Sequence, residues 1–259
     1  MNHPLETRYH TVWEQTLGQK ELSADNVAGS RFFFDFHSKD DSSGTVAVPR
    51  RFDTYGIVCG LPFEENVQTL LAKLWQQCLS IIGAPLAYGV EPANRHTEIF
   101  LFQRPGEDFS REEVNAGLKA SLKTMDGLPA FKIVLCHPFL TPDGTIVVPG
   151  FDEPPGIVDQ LRSKLEANVA TFPKKQSQWV HISLGRILEP IDERRLTPLL
   201  DLMQERWGEV ISETKVTELL WIWERQWYMV DRQILHRRQL ADSSREAVAY
   251  PPASPSRGA

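Results

Sequence analysis

From Thr54 to Ile234 the chain switches repeatedly between short apolar runs and segments of helical period, and that alternation leaves few architectures open. Thr54 to Leu61 is a short apolar strand ended by Pro62. Val67, Leu70, Leu71, Leu74, Trp75, Cys78, Ile81 and Ile82 then recur at helical spacing until Gly83 and Pro85 stop the run. His96 to Phe102 forms a second strand, and Ser110 with Glu113 gives a capping box ahead of the stripe Val114, Leu118, Leu122 and Met125. Phe131 to Cys136 is a strand, and Pro142-Asp143-Gly144 turns the chain into Thr145 to Val148. A helix buries Ile157, Val158, Leu161 and Leu165, and the strand Trp179 to Arg186 follows. Thr197-Pro198 caps a helix ended by Gly208, and two strands close the regular part, at about Val216 to Trp223 and Trp227 to Ile234. The same strand-helix-strand plan thus occurs twice. It predicts an α+β fold of two pseudo-symmetric lobes, with antiparallel sheets flanked by helices.

The flanks differ from this middle. Residues 1–50 carry no strong period, although Trp13, the run Phe32-Phe33-Phe34 and Phe36 can pack onto a core, so we expect an N-terminal extension, partly docked. The bilobal domain then spans 51–240. Residues 241–259, with Pro251-Pro252-Ala253-Ser254-Pro255-Ser256, are expected to be a disordered tail. Cys59, Cys78 and Cys136 lie apart in apolar runs with no CxxC spacing, which predicts buried thiols in a reducing compartment and hence a cytoplasmic location, the nucleus being compatible. No run approaches the length of a membrane span, and the N-terminus lacks a signal-type apolar core. A net charge of -6 argues against a long nucleic-acid track, which requires a basic footprint. It leaves room for a small anionic substrate or a single nucleic-acid end.

Chemistry concentrates in Trp179-Val180-His181-Ile182-Ser183-Leu184-Gly185-Arg186. Alternate residues of a strand share a face, so His181 and Ser183 project together while Val180, Ile182 and Leu184 meet a core. An imidazole beside a hydroxyl can move a proton and hold an anionic oxygen. His96 begins the corresponding strand of the first lobe, as His96-Thr97-Glu98-Ile99. Nucleotide, P-loop, serine-hydrolase and zincin signatures (GxGxxG, GxxxxGK[ST], GxSxG, HExxH) are missing.

Two histidines on equivalent strands, the second as His181-Ile182-Ser183-Leu184, resemble the 2H phosphoesterase superfamily, which includes LigT-like RNA 2',3'-cyclic phosphodiesterases. The resemblance runs from Tyr55 to about Ile234. It implies a central cleft between the lobes, with catalytic His96 and His181 facing each other, one as general base and the other as general acid. It implies hydrolysis of a 2',3'-cyclic phosphate on a nucleotide or RNA end, with no metal or other cofactor, by a protein expected to be a monomer without membrane contact. Ser183 then donates to the phosphate. The first motif departs from the family pattern, because Glu98 stands where Thr or Ser is usual. Glu98 either orients His96, or contacts a ribose hydroxyl, or marks a module that binds nucleotides or phosphorylated RNA ends without turnover. Arg186 and Tyr228 complete the expected substrate-binding set, with Arg95, Arg104, Lys174 and Lys175 as flanking charges and Tyr55 and Trp179 as further stacking candidates.

Overall fold

A computed structural model describes residues 3–38 and 44–241. The chain opens with α1 (Pro4–Leu17), α2 (Ala24–Arg31) and the hairpin strands β1 (Phe34–Ser38) and β2 (Thr45–Pro49). Then come β3 (Thr54–Cys59), α3 (Glu65–Ile81), β4 (Ala87–Gly89), β5 (Thr97–Gln103) and α4 (Arg111–Thr124). β6 (Phe131–Cys136), β7 (Phe139–Leu140), β8 (Thr145–Glu153), α5 (Ile157–Asn168), β9 (His181–Ile187) and α6 (Glu193–Glu205) follow. β10 (Val210–Val216), β11 (Glu218–Gln226) and β12 (Asp231–Gln239) end the regular structure. The architecture is α+β, with antiparallel sheets flanked by helices.

The main sheet runs β10-β6-β8-β9-β5-β3-β11-β12. Its halves meet where Thr97 of β5 pairs with Ile182 of β9. The two lobes are not consecutive in the chain: β10 pairs with β6 in one half, whereas β11 crosses back to β3 and brings β12 with it. Val210–Val216 is a strand of its own, so three strands close the fold where the periodicity predicts two. α6 also starts earlier than the Thr197-Pro198 pair suggests. Asp192 caps it by accepting from the Arg195 amide at 3.1 Å, and Pro198 lies inside the helix. The capping box of α4 forms as predicted, Glu113 N to Ser110 Oγ at 3.2 Å and Ser110 N to Glu113 Oε2 at 2.9 Å.

Residues 3–31 pack into the main core. α1 buries Leu5, Tyr9, Trp13 and Thr16, a helical stripe that aliphatic periodicity misses because two of its members are aromatic and one is polar. The Tyr9 hydroxyl donates to the carbonyls of Gly150 and Val180 and accepts from the Val180 amide at 3.1 Å, tying α1 to β8 and to the residue before His181. Burial pushes its pKa well above the ordinary tyrosine value. Phe34 is buried, whereas Phe32 is half exposed. All three cysteines are free and buried, and burial pushes the Cys59 and Cys78 thiols up to about 12 and Cys136 to about 11. The expected tail lies, except for Ala241, outside the described residues. No helix among the described residues is long and apolar enough to cross a membrane.

One packing detail bears on the second histidine strand. Gly89 of β4 faces Gly185 of β9, and the Trp75 indole of α3 presses onto both. A Cβ on Gly185 would collide with the Trp75 ring and the Tyr88 carbonyl, a backbone atom that cannot rotate away. Gly185→Ala is therefore expected to destabilise the protein by about 1–3 kcal/mol, read as a lowered urea midpoint at unchanged slope. An unchanged midpoint would show that β4 is free to lift away from β9.

Candidate functional site

Four neighbouring strands, β11, β3, β5 and β9, each turn polar residues to one face. Glu224 of β11 lies opposite Thr54 of β3, Val58 of β3 opposite Glu98 of β5, and Thr97 opposite Ile182. Thr97 and Ile182 are fully buried on the far face, so the residues flanking them, His96 and Glu98 on one strand and His181 and Ser183 on the other, turn to the near one. These four line a single cavity of about 510 Å³ together with Arg186 and Tyr228. A register shift between Ile57 and Val58 allows both Glu98 and Leu101 to face the cavity. It does not bring Thr97 round, so a carboxyl group occupies that position on the floor.

The electrostatics of the site follow from partial burial. His181 is half-buried and is pulled down to about 4, first by desolvation and then by Arg162, His96 and Arg186, so its imidazole is neutral at neutral pH. Its Nδ1 has no hydrogen-bond partner among the described residues, and Trp179 meets the ring edge-on at 5.6 Å. His96 is also lowered, by burial and by Arg232, against a hydrogen bond from Nδ1 to the Asn94 carbonyl at 2.9 Å. That bond fixes the tautomer and leaves Nε2 free. Asn94 is itself held by Arg232, whose Nη1 donates to Oδ1 at 2.6 Å. Burial raises Glu98, with Arg104 and Arg162 acting the other way.

Arg186 is anchored on three sides. Its Nε donates to the Tyr228 hydroxyl, its Nη1 donates to Ser30 Oγ at 2.9 Å, and Asp143 Oδ2 lies 3.4 Å from Nη1. The guanidinium also sits 5.1 Å from the centre of the Phe33 ring. Tyr228 lines the cavity, its ring stacked on Tyr88 at 5.4 Å and its hydroxyl accepting from Arg186. Arg95, Arg104, Lys175 and Trp179 also reach the cavity. Tyr55 stacks on Trp223 instead, and neither it nor Lys174 is a cavity residue.

No protein-family model matches the chain, and no curated protein matches it by sequence. Solved structures do. The chain is similar to TT0787 of Thermus thermophilus at 14% identity and a TM-score of 0.50, over 73% of this chain and 99% of that one. The fold is that of the 2H phosphoesterases. The chain is also similar to E. coli LigT complexed with 3'-AMP, at 16% identity and a TM-score of 0.43, over 74% of this chain and 99% of that one. A protein of unknown function from Agrobacterium tumefaciens, ATU0111, matches at 15% identity and a TM-score of 0.45, over 67% of this chain and 82% of that one.

Within this 2H fold, several residues near the motifs are not evident from the motifs themselves. Glu224 and Thr54 reach the cavity floor, and Phe33 and Trp227, stacked on each other at 4.5 Å, line it too. Glu224 carries a sequence signal in hindsight: it is a carboxyl group at an inward position of the run Leu219-Leu220-Trp221-Ile222-Trp223-Glu224. Arg162 of α5 lies behind the sheet, 5% exposed, and holds both histidine strands. It donates to the carbonyls of Ile99 at 2.9 Å, Glu98 at 3.0 Å and Trp179 at 2.7 Å. Its place four residues after Val158 and three before Leu165 puts it on the buried face of α5, although its charge reads as a surface residue. Among the described residues no group of three or more His, Cys, Asp or Glu side chains is placed to hold a metal ion.

Proposed function

We propose that this protein is a phosphoesterase that hydrolyses the 2',3'-cyclic phosphate of a nucleotide or RNA end. The observation that carries this reading is the meeting of His96, His181 and Ser183 in one cavity, with Arg186 beside them. His181, neutral at working pH, takes a proton from water as the water oxygen bonds to phosphorus. The bond from phosphorus to one ribose oxygen breaks, and His96, entering as the imidazolium, gives that oxygen its proton. The hydrogen bond from His96 Nδ1 to the Asn94 carbonyl favours the charged form and so suits the acid role. Ser183 and Arg186 donate to the non-bridging oxygens, where negative charge builds. Both proton transfers are made by side chains, so the reaction requires no metal or other cofactor. The chain works as a monomer on a small ligand inside the cell.

The test is turnover of 2',3'-cyclic nucleotides and 2',5'-linked oligonucleotides with EDTA present. Cleavage of at least one substrate at an undiminished rate in EDTA is expected, and its absence across the panel would overturn the proposal. Glu98 motivates a second reading, because a carboxyl group replaces a phosphate-donating hydroxyl: a 2H-fold module that binds nucleotides or phosphorylated RNA ends without turnover. Nucleotide binding that persists in His96→Ala and His181→Ala, with an inactive parent, would favour it.

A further inference from the structure

The cavity has a second polar end that the phosphate chemistry does not use. Glu224 and Thr54 lie directly opposite each other on β11 and β3, and both line the cavity. Glu224 is 4% exposed and Thr54 2% exposed. Glu224 Oε1 accepts from the Met229 amide at 2.8 Å and the group also takes a backbone hydrogen bond from Tyr228, so a neutral carboxyl group here turns its proton away from these two amides. The Thr54 hydroxyl is buried with no hydrogen-bond partner among the described residues. An unmade hydrogen bond of this kind is costly unless a ligand or water completes it.

We propose that Glu224 and Thr54 form a subsite that reads a neutral, hydroxyl-bearing part of the ligand, such as a sugar ring whose phosphate lies at His181, Ser183 and Arg186. A carboxyl O–H and a rotatable hydroxyl side by side supply a donor and acceptors, the complement of a sugar hydroxyl. A second anion is disfavoured there by Glu98, and a cation by Arg232, both coupled to Glu224. Burial raises Glu224 to about 8, with Glu98 of β5 adding to the rise and Arg232 of β12 opposing it. Tyr228, in the turn between β11 and β12, is the other titratable group coupled to it, and burial keeps that hydroxyl protonated. Glu224 therefore carries its proton at neutral pH and loses the donor as the pH rises through about 8.

The choice of nucleotide probes rests on the proposed function, but the test reads binding and not turnover. Affinities of 3'-AMP, its 2'-deoxy and 5'-deoxy analogues and inorganic phosphate are compared calorimetrically in the parent protein, Glu224→Leu and Glu224→Gln. The parent is expected to bind one analogue about tenfold more weakly than 3'-AMP, the cost of one lost hydrogen bond to a polar site. Which analogue is penalised identifies the hydroxyl that is read. Glu224→Leu removes the discrimination while inorganic phosphate binds as before. Glu224→Gln, always a donor, keeps the discrimination and flattens the loss of 3'-AMP affinity between about pH 6 and 9. Equal affinity for all three nucleotides in the parent, or discrimination surviving in Glu224→Leu, would overturn the subsite. An inactive parent that still discriminates removes only the hydrolytic reading, and an active parent indifferent to Glu224→Leu removes only this one.

Discussion

His181→Ala is expected to lower turnover of a 2',3'-cyclic nucleotide by roughly a hundred- to ten-thousandfold, the range for loss of a positioned general base. The fold should tolerate the change, because His181 is half-buried at the cavity wall and its Nδ1 makes no hydrogen bond within the described residues. The pH profile makes the prediction specific. A base lowered to about 4 is already deprotonated over most of the acid range, so the acid limb of kcat/KM lies near that value. The alkaline limb belongs to His96, which must be protonated, and burial places its pKa below the ordinary imidazole value. Activity is thus expected to be highest on the acid side of neutrality, and a maximum in the alkaline range would exclude these assignments. Stability gives an independent check with its own sign. The unfolded chain protonates His181 at its ordinary pKa and the folded chain only near 4, so folding stability falls as the pH drops through that window. In His181→Ala this contribution to acid sensitivity disappears, which urea midpoints along the acid limb would register.

His181 and Ser183 are legible in sequence because a strand imposes a period of two and the residues between them are unmistakably apolar. His96 is legible for the same reason, and so is the outward turn of Thr97, which leaves Glu98 on the floor. Glu224 escapes because its partner strand is remote. Only the return of β11 to β3 sets it beside Thr54, and sequence period gives the facing of a strand but not its neighbour. α1 escapes for a different reason, since Leu5 alone of its buried stripe is aliphatic, and Tyr9, Trp13 and Thr16 leave no aliphatic period to read. The start of α6 shows two cap signals in competition, Thr197 ahead of a proline and Asp192 five residues earlier. The earlier cap admits a further turn that buries Leu196, and that gain decides the boundary.

Arg162→Met is the change expected to cost most in stability, about 3–5 kcal/mol, because three carbonyl oxygens, one buried and two partly buried, lose a charged donor and methionine offers none. Glu98 and Ile99 belong to the first motif strand and Trp179 leads into the second, so one guanidinium fixes the spacing of the two histidines from behind the sheet. Lysine cannot replace it: a single ammonium on a flexible stem does not span three acceptors held by a planar fork. Lys132→Ala is the control, since its ion pair with Glu213, 3.3 Å long and more than half exposed on both sides, should matter by less than about 1 kcal/mol. The variant also separates positioning from bulk stability. Arg162 is the leading charge holding His181 down, so removing it lets the imidazole rise toward its ordinary pKa. The acid limb of kcat/KM then moves upward from about 4 in whatever fraction remains folded. Simple destabilisation would reduce the amount of active protein and leave that limb in place. A shifted limb therefore identifies Arg162 as a residue that sets the charge state of His181 as well as holding the strands, while an unshifted one confines it to holding the strands.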